Sequence, residues 1–200
     1  MLVAFDGVDT SGKTTLANAV YSNLKLRNIE AINVSIDKFH NPKDIRIQKG
    51  ELSPEGFYFD SFNYDKIIEF IISPVKNGKT TIINGIYDYK TESYLDQQIT
   101  PISKNTIILF DGIFMHRDEV DHYWDLSIFL DISFTTVRQR AIKRDKEYFG
   151  SDEKVLEKYN KRYIPGEELY LGLCNPQARA DFVIDNNDWE NPVLIKGNFN

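Results

Sequence analysis

Cysteine is nearly absent: Cys174 stands alone among 200 residues, so no disulfide closes within the chain and a reducing compartment is implied. A lone cysteine in that setting reads as a small buried hydrophobe. Long apolar runs are missing too, and nothing approaches the roughly 18 consecutive residues of a membrane-spanning helix. The opening Met1-Leu2-Val3-Ala4-Phe5-Asp6 lacks the basic n-region and the length of a signal peptide. These absences point to a cytoplasmic protein with no membrane partner. Positive charge is in deficit, with 24 Lys and Arg against 30 Asp and Glu, a net charge of −6. Without a basic footprint, nucleic acid is excluded as the main partner, while a local basic pocket for one nucleotide stays compatible. His40, His116 and His122 have no metal-ligand spacing with Cys174 or with one another and read as surface or turn residues.

What is present is the balance of an ordinary globular chain, 42% apolar and 27% charged. The length suits one α/β domain over residues 1–200. Leu2 to Phe5 is a short apolar run ending near a glycine, the pattern of a buried strand. From Lys13 to Asn28, Leu16, Ala17, Val20 and Leu24 form a helical stripe. Ala31 to Ile36 reads as a second strand ending on Asp37. A loop marked by Asn41-Pro42 and Ser53-Pro54 follows, then a helix around Tyr64–Val75 stopped by Asn77-Gly78. Thr80–Ile83, Thr106–Phe110, Leu126–Leu130, Asp181–Ile184 and Pro192–Ile195 read as strands. Phe134, Val137, Ala141 and Ile142 mark the inner face of another helix. Alternation of strand and helix predicts a mostly parallel sheet with helices on both faces. Residues 140–162 are charged and poor in core positions, which suits a mobile helical lid or a solvated helical pair.

Gly7-Val8-Asp9-Thr10-Ser11-Gly12-Lys13-Thr14 fits G-x-x-x-x-G-K-[ST] after a strand and at the start of a helix, the context a phosphate-binding P-loop requires. Gly7 and Gly12 permit a tight turn, so that the backbone N–H groups of Asp9, Thr10, Ser11 and their neighbours through Thr15 converge on phosphate oxygens. The helix N-terminus adds its partial positive charge at the same point. Lys13 is then expected to bridge β- and γ-oxygens of ATP or GTP, and the Thr14 hydroxyl to ligate Mg²⁺. Ligands in open α/β sheets sit at strand carboxyl ends. Asp111, closing the run Ile107-Ile108-Leu109-Phe110, is a Walker-B-like Mg²⁺ candidate. Asp37, ending the second strand, is a candidate general base and metal neighbour. Arg140 and Arg144, four apart on one helix face, can converge on transferring phosphate oxygens.

With these motifs in order, the chain resembles the uridine kinase family, grouped with the phosphoribulokinase-like P-loop kinases, from the P-loop to about Asp188. Ser35-Ile36-Asp37-Lys38-Phe39 resembles the family's strand-end aspartate followed by an aromatic, which implies that Asp37 is the catalytic base. Phe59-Asp60-Ser61-Phe62-Asn63-Tyr64-Asp65 resembles the block whose first aspartate binds the acceptor ribose, implicating Asp60. Ile86-Tyr87-Asp88-Tyr89 resembles the tyrosine-aspartate motif lining the nucleoside pocket. Leu109-Phe110-Asp111-Gly112-Ile113 is similar to Phe-Glu-Gly-Ile, with aspartate for glutamate. Arg140-Ala141-Ile142-Lys143-Arg144-Asp145 resembles the lid segment that supplies arginines, catalytic with Lys13, to the triphosphate. Ala180-Asp181-Phe182-Val183-Ile184 is similar to the alanine-aspartate of a late strand.

The resemblance implies the three-layer P-loop NTPase fold with a small helical lid. It also implies Mg-dependent transfer of a γ-phosphate to a small hydroxylated acceptor, a nucleoside foremost, and a homo-oligomeric habit. Two departures stand out. Glu92 occupies the position of a histidine that recognises the pyrimidine, and Ser61-Phe62 replaces His-Pro. Ribose binding is therefore better supported than pyrimidine recognition. Ionised Glu92 accepts hydrogen bonds only, and in the pocket it would repel uracil carbonyls. Thymidylate kinases share a similar P-loop but carry an Asp-Arg-aromatic motif in mid-chain that is missing here. A guanine-nucleotide switch would carry Asn-Lys-x-Asp, also missing.

Overall fold

Strand β1 (Leu2–Gly7) is buried along its whole length, as expected of a parallel strand covered on both faces. The computed structural model describes residues 1–197, so positions 198–200 of the expected 1–200 domain lie outside the described residues. β1 runs through the glycine-rich turn into α1 (Lys13–Leu26), β2 (Ala31–Ser35) and a 3₁₀ turn at Ile36–Phe39. Short helices α2 (Lys43–Arg46) and α3 (Pro54–Asp60) come next. A longer helix follows in three parts, α4 (Tyr64–Ile67), a π turn at Ile68–Ile72 and α5 (Ser73–Lys76). Strands β3 (Thr81–Ile83), β4 (Tyr87–Asp88), β5 (Ser93–Tyr94) and β6 (Ile99–Pro101) precede β7 (Ile107–Asp111) and β8 (Leu126–Asp131). Helices α6 (Phe134–Phe149) and α7 (Asp152–Lys158) form a hairpin. The second arm continues through a π turn at Tyr159–Tyr163 into α8 (Ile164–Cys174), and α9 (Pro176–Arg179), β9 (Phe182–Asp185) and β10 (Val193–Lys196) complete the order.

Six strands form one sheet in the order β10-β9-β8-β1-β7-β2. All neighbours are parallel except the terminal β10–β9 pair. This is the α/β architecture expected from the alternating pattern. Alternation along β1 divides the core. Val3 and Phe5 meet Ala17 and Leu109 on the α1 face, and Leu2 and Ala4 join Ile108, Phe110, Ile67 and Ile71 on the other. Each of the larger side chains among these, the valine, leucines, isoleucines and phenylalanines, contributes about 1.5–3 kcal/mol by leaving water. Because β1, β2 and β7 are parallel neighbours, their carboxyl ends deliver Gly7, Ser35 and Asp111 to one edge.

Several local expectations need correction. The Asn41–Pro54 segment contains α2 and the start of α3, because Ser53 caps α3 by accepting from Gly56 N at 3.0 Å and Pro54 occupies the first turn. The Thr80–Ile83 run pairs antiparallel with β6 outside the main sheet. Only Ile82 of β3 is buried, too little apolar surface to demand a place in the sheet core. Residues 140–162 are less bare than their charge suggests. Val155 and Tyr159 are fully buried against Val8, Val137 and Ala141. Arg162 is 4% exposed and donates to the carbonyls of Arg46, Gly50, Glu51 and Ser53. A solvated helical pair is therefore excluded for this face. His116 is buried rather than superficial. Cys174 is buried, as expected.

Candidate active site

The P-loop wraps the end of β1 in a conformation few side chains tolerate. At Gly7 (φ 148°) a Cβ would stand 2.5 Å from the Leu130 carbonyl oxygen and 2.6 Å from Ser11 Oγ, and Gly12 is left-handed at φ 99°. Thr10 also has positive φ, 59°, a conformation that costs a non-glycine residue free energy unless its surroundings enforce it. The neighbours do enforce it. Arg140 Nη1 donates to Thr10 O at 3.1 Å and its Nη2 to Asn186 O at 2.7 Å. Asn186 Nδ2 donates to Ser11 O at 2.7 Å. Here Arg140 grips backbone carbonyls beside the loop, whereas Arg144 lines the cleft, so the two arginines of one helix face different partners.

Lys13 is buried and its Nζ donates to Val8 O at 2.7 Å. The Thr14 hydroxyl donates to Asp111 Oδ2 at 2.7 Å. Burial raises the Asp111 carboxyl, the charge of Asp37 adds to the rise, and the Thr14 hydrogen bond and Lys13 oppose it. Asp37 sits in the 3₁₀ turn after β2, where the Ser35 hydroxyl accepts from its N–H at 3.4 Å. It keeps solvent-accessible surface through the cleft mouth. The protein packed around it nevertheless raises its carboxyl by desolvation, Asp9 adds to that, and Lys13, Arg144 and Lys90 pull the other way. Carboxylates crowded about one lysine suit cation and proton chemistry.

The cleft itself encloses about 490 Å³, with Asp9, Asp37, His40, Arg46, Tyr89 and Arg144 among its walls. Arg144 bonds Asp145 Oδ1 at 2.7 Å and the Tyr159 hydroxyl at 2.8 Å, and approaches Asp9 Oδ1 at 4.0 Å. His40 packs between Phe62 and Tyr89, with ring centroids 4.5 and 4.6 Å away. Its Nδ1–H donates to Asp37 O at 2.9 Å, and burial lowers it to about 4, so the ring is neutral near pH 7. Sequence spacing gave no signal for His40, because its role comes from folding beside Asp37 rather than from a metal-ligand pattern. Arg46 was likewise invisible in the sequence.

The three acceptor candidates lie off the cleft wall. Asp60 pairs with Lys49. Tyr87 is buried and its hydroxyl donates to Glu92 Oε2 at 3.0 Å. The other Glu92 oxygen pairs with Arg46. Burial works against the charge of Glu92, but hydrogen bonds from Arg46 and Tyr87 hold its carboxyl below the usual range. The direct wall of the cleft is instead Arg46, with Glu92 behind it. Asp6, His116 and Tyr170 form a buried network behind the P-loop, with Asp6 Oδ1 accepting from Gly7 N and Oδ2 from His116 Nδ1, both at 2.7 Å.

A P-loop at the carboxyl end of β1, with the acids Asp37 and Asp111 at the ends of neighbouring strands, is the arrangement of a nucleotide-binding α/β protein. The model of the Phosphoribulokinase / Uridine kinase family matches residues 2–188, and the chain belongs to that family. It is 29% identical over 175 residues to uridine-cytidine kinase A of Dictyostelium discoideum, which covers 86% of this chain and only 33% of that relative's length. It is 29% identical over 183 residues to uridine kinase of Ureaplasma urealyticum, covering 90% of this chain and 86% of the relative. Among solved structures, a possible uridine kinase from Bacillus stearothermophilus superposes with a TM-score of 0.74 at 22% identity, over 92% of this chain and 87% of that one. Phosphoribulokinase from Rhodobacter spheroides gives 0.66 at 14% identity, over 92% and 69%. Among the described residues no helix is long and apolar enough to cross a membrane.

Proposed function

We propose that the chain transfers the γ-phosphate of ATP or GTP, with Mg²⁺, to a hydroxyl of a small acceptor, a nucleoside first among candidates. The observation that carries this reading is the Thr14–Asp111 hydrogen bond beside the P-loop, with Asp37, which lines the cleft together with Asp9 and Arg144, near enough to Lys13 and Asp111 to feel their charge. In the proposed reaction, Asp37 takes the proton of the attacking hydroxyl. Lys13 leaves the Val8 carbonyl to meet the phosphates, and Arg144 offsets charge on the transferring group. Closure of the 140–162 hairpin over the cleft would exclude water from that transfer.

The donor set fits a hard cation: one hydroxyl, from Thr14, and two carboxylates, Asp37 and Asp111. The described residues hold no cluster of three or more His, Cys, Asp or Glu side chains able to cage a metal alone. Mg²⁺ in phosphoryl transfer typically takes one or two carboxylates plus phosphate and water oxygens. When bound, it neutralises charge on the β- and γ-oxygens.

A second reading, a small hydroxylated metabolite other than a pyrimidine riboside, is favoured by one observation. Glu92, which in sequence takes the place of the family's base-recognising histidine, is committed to Arg46 and Tyr87 behind the cleft wall. A phosphotransfer screen with uridine, cytidine, other ribosides and small polyols separates the two. Labelled phosphate appearing on uridine or cytidine supports the nucleoside reading. Transfer confined to a polyol supports the second, and the absence of transfer to every acceptor would refute both.

A further inference from the structure

Helix α8 contributes a carboxylic acid to the back of the P-loop. Glu167 is 0% exposed. Its Oε1 accepts from the backbone N–H of Asp9 at 2.5 Å, across 158 residues of sequence. Its Oε2 is buried with no hydrogen-bond partner. An unmatched buried oxygen is costly, so apolar packing alone does not account for a carboxyl here. Three residues along the same helix, the Tyr170 hydroxyl donates to Asp6 Oδ2, and the other oxygen of Asp6 accepts from Gly7 N. Residues at i and i+3 share a helix face. One face of α8 thus reaches both Asp6 and Asp9, on either side of Gly7 and Val8.

Asp9 is where this grip meets the chemistry. Its carboxylate lines the cleft and stands 4.0 Å from Arg144 Nη2. The amides of Thr10, Gly12 and Lys13 have no partner among the described residues, which leaves them to a ligand, whereas the amide of Asp9, expected from the motif to be a phosphate donor, is instead taken by Glu167. We propose that Glu167 is a positioning residue for phosphotransfer, which fixes Asp9 through its N–H and thereby sets both the shape of the loop that receives the triphosphate and the spacing between Asp9 and Arg144. The role rests on the phosphotransferase reading above, yet the bond itself can be tested without turnover. What positions is the accepting oxygen of Glu167, not its charge, since burial and the neighbouring charge of Asp9 both disfavour its ionised form.

Two measurements test this. Amide hydrogen exchange on the nucleotide-free wild type should find Asp9 protected and Thr10, Gly12 and Lys13 fast, with ATP slowing the last three. An Asp9 amide as fast as that of Thr10 would overturn the proposal, whatever the enzyme's substrate. In the second, Glu167→Met keeps the volume and removes the acceptor, while Glu167→Gln keeps an accepting oxygen. Met should raise the KM for ATP roughly tenfold or more with a smaller change in kcat, and Gln should stay within about threefold of wild type, one hydrogen bond to a positioned group being at stake. A Met variant that melts earlier but keeps its ATP KM would make Glu167 a stability residue only. A Gln variant as impaired as Met would show that the accepting oxygen is not what matters. If Met does not fold, the exchange pattern of the wild type and the Gln comparison still decide the matter.

Discussion

The Thr14 hydroxyl and Asp111 Oδ2 are 2.7 Å apart, although 97 positions separate them in sequence. Parallel pairing brings them together, because β1 sets Phe5 beside Asp111 and the P-loop returns Thr14 to the same strand ends. This oxygen pair, with Asp37 nearby, separates two carboxylate roles. Asp37→Asn retains size and hydrogen bonding but takes no proton, so kcat should fall by roughly 10²–10⁴ while ATP binding persists. Asp111→Asn should chiefly raise the Mg²⁺ concentration needed for half-maximal rate. Rescue of Asp37→Asn, but not Asp111→Asn, by excess Mg²⁺ would reverse the two assignments.

Lys13 Nζ is held by Val8 O at 2.7 Å, within the turn where phosphates are expected. Lys13→Ala should lower kcat by about 10²–10³ or more with little change in thermal midpoint, since the lost contact is with charge that grows during transfer. Turnover close to wild type would remove the P-loop lysine from the mechanism.

The main strands and the loop–helix entry were legible in the sequence because apolar runs such as Leu2–Phe5 and Thr106–Phe110 must be buried, and because Gly7 and Gly12 punctuate a known turn; the order of the strands was not. Asp37 and Asp111 stood out as strand-end acids. Hidden were contacts made only by tertiary folding. Nothing in the sequence around Glu167, between Gly166 and Glu168, marks it, yet it is buried and accepts from the Asp9 amide. His40 reads as a loop residue, yet two rings enclose it. Arg140 and Arg144 share a periodicity that says they are on one face, but not that backbone carbonyls claim the first.

Glu167 gives stability a pH signature. Burial, with the charge of Asp9, holds its carboxyl well above the ordinary value of 4.5 in the folded chain. Below that ordinary value both folded and unfolded chains carry the proton, and there is no penalty. Above it the unfolded chain releases the proton while the folded chain keeps it, so stability declines with rising pH by about 1.4 kcal/mol per unit until the folded-state value is passed. Glu167→Gln cannot titrate. Its thermal midpoint relative to wild type should therefore rise between pH 5 and pH 7. A difference that stays flat over that range would mean Glu167 is ionised in the folded protein.

Because Glu92 is committed to Arg46 and Tyr87 behind the cleft wall, Glu92→His should leave the ratio of uridine to cytidine turnover within about threefold, well short of the 10-fold or more expected from a buried polar contact to the base. A shift of tenfold towards uridine would mean that position 92 reads the base directly.

The central claim is transfer to a small acceptor, and the most direct measurement is ADP formation from ATP and Mg²⁺ with and without a panel of ribosides and polyols, coupled to detection of the phosphorylated product. The account predicts slow hydrolysis alone and turnover faster by about 10² or more when the matching acceptor fills the cleft and brings its hydroxyl to Asp37, with loss of that stimulation in Asp37→Asn. ADP formation that no acceptor accelerates, with no phosphorylated product, would contradict it.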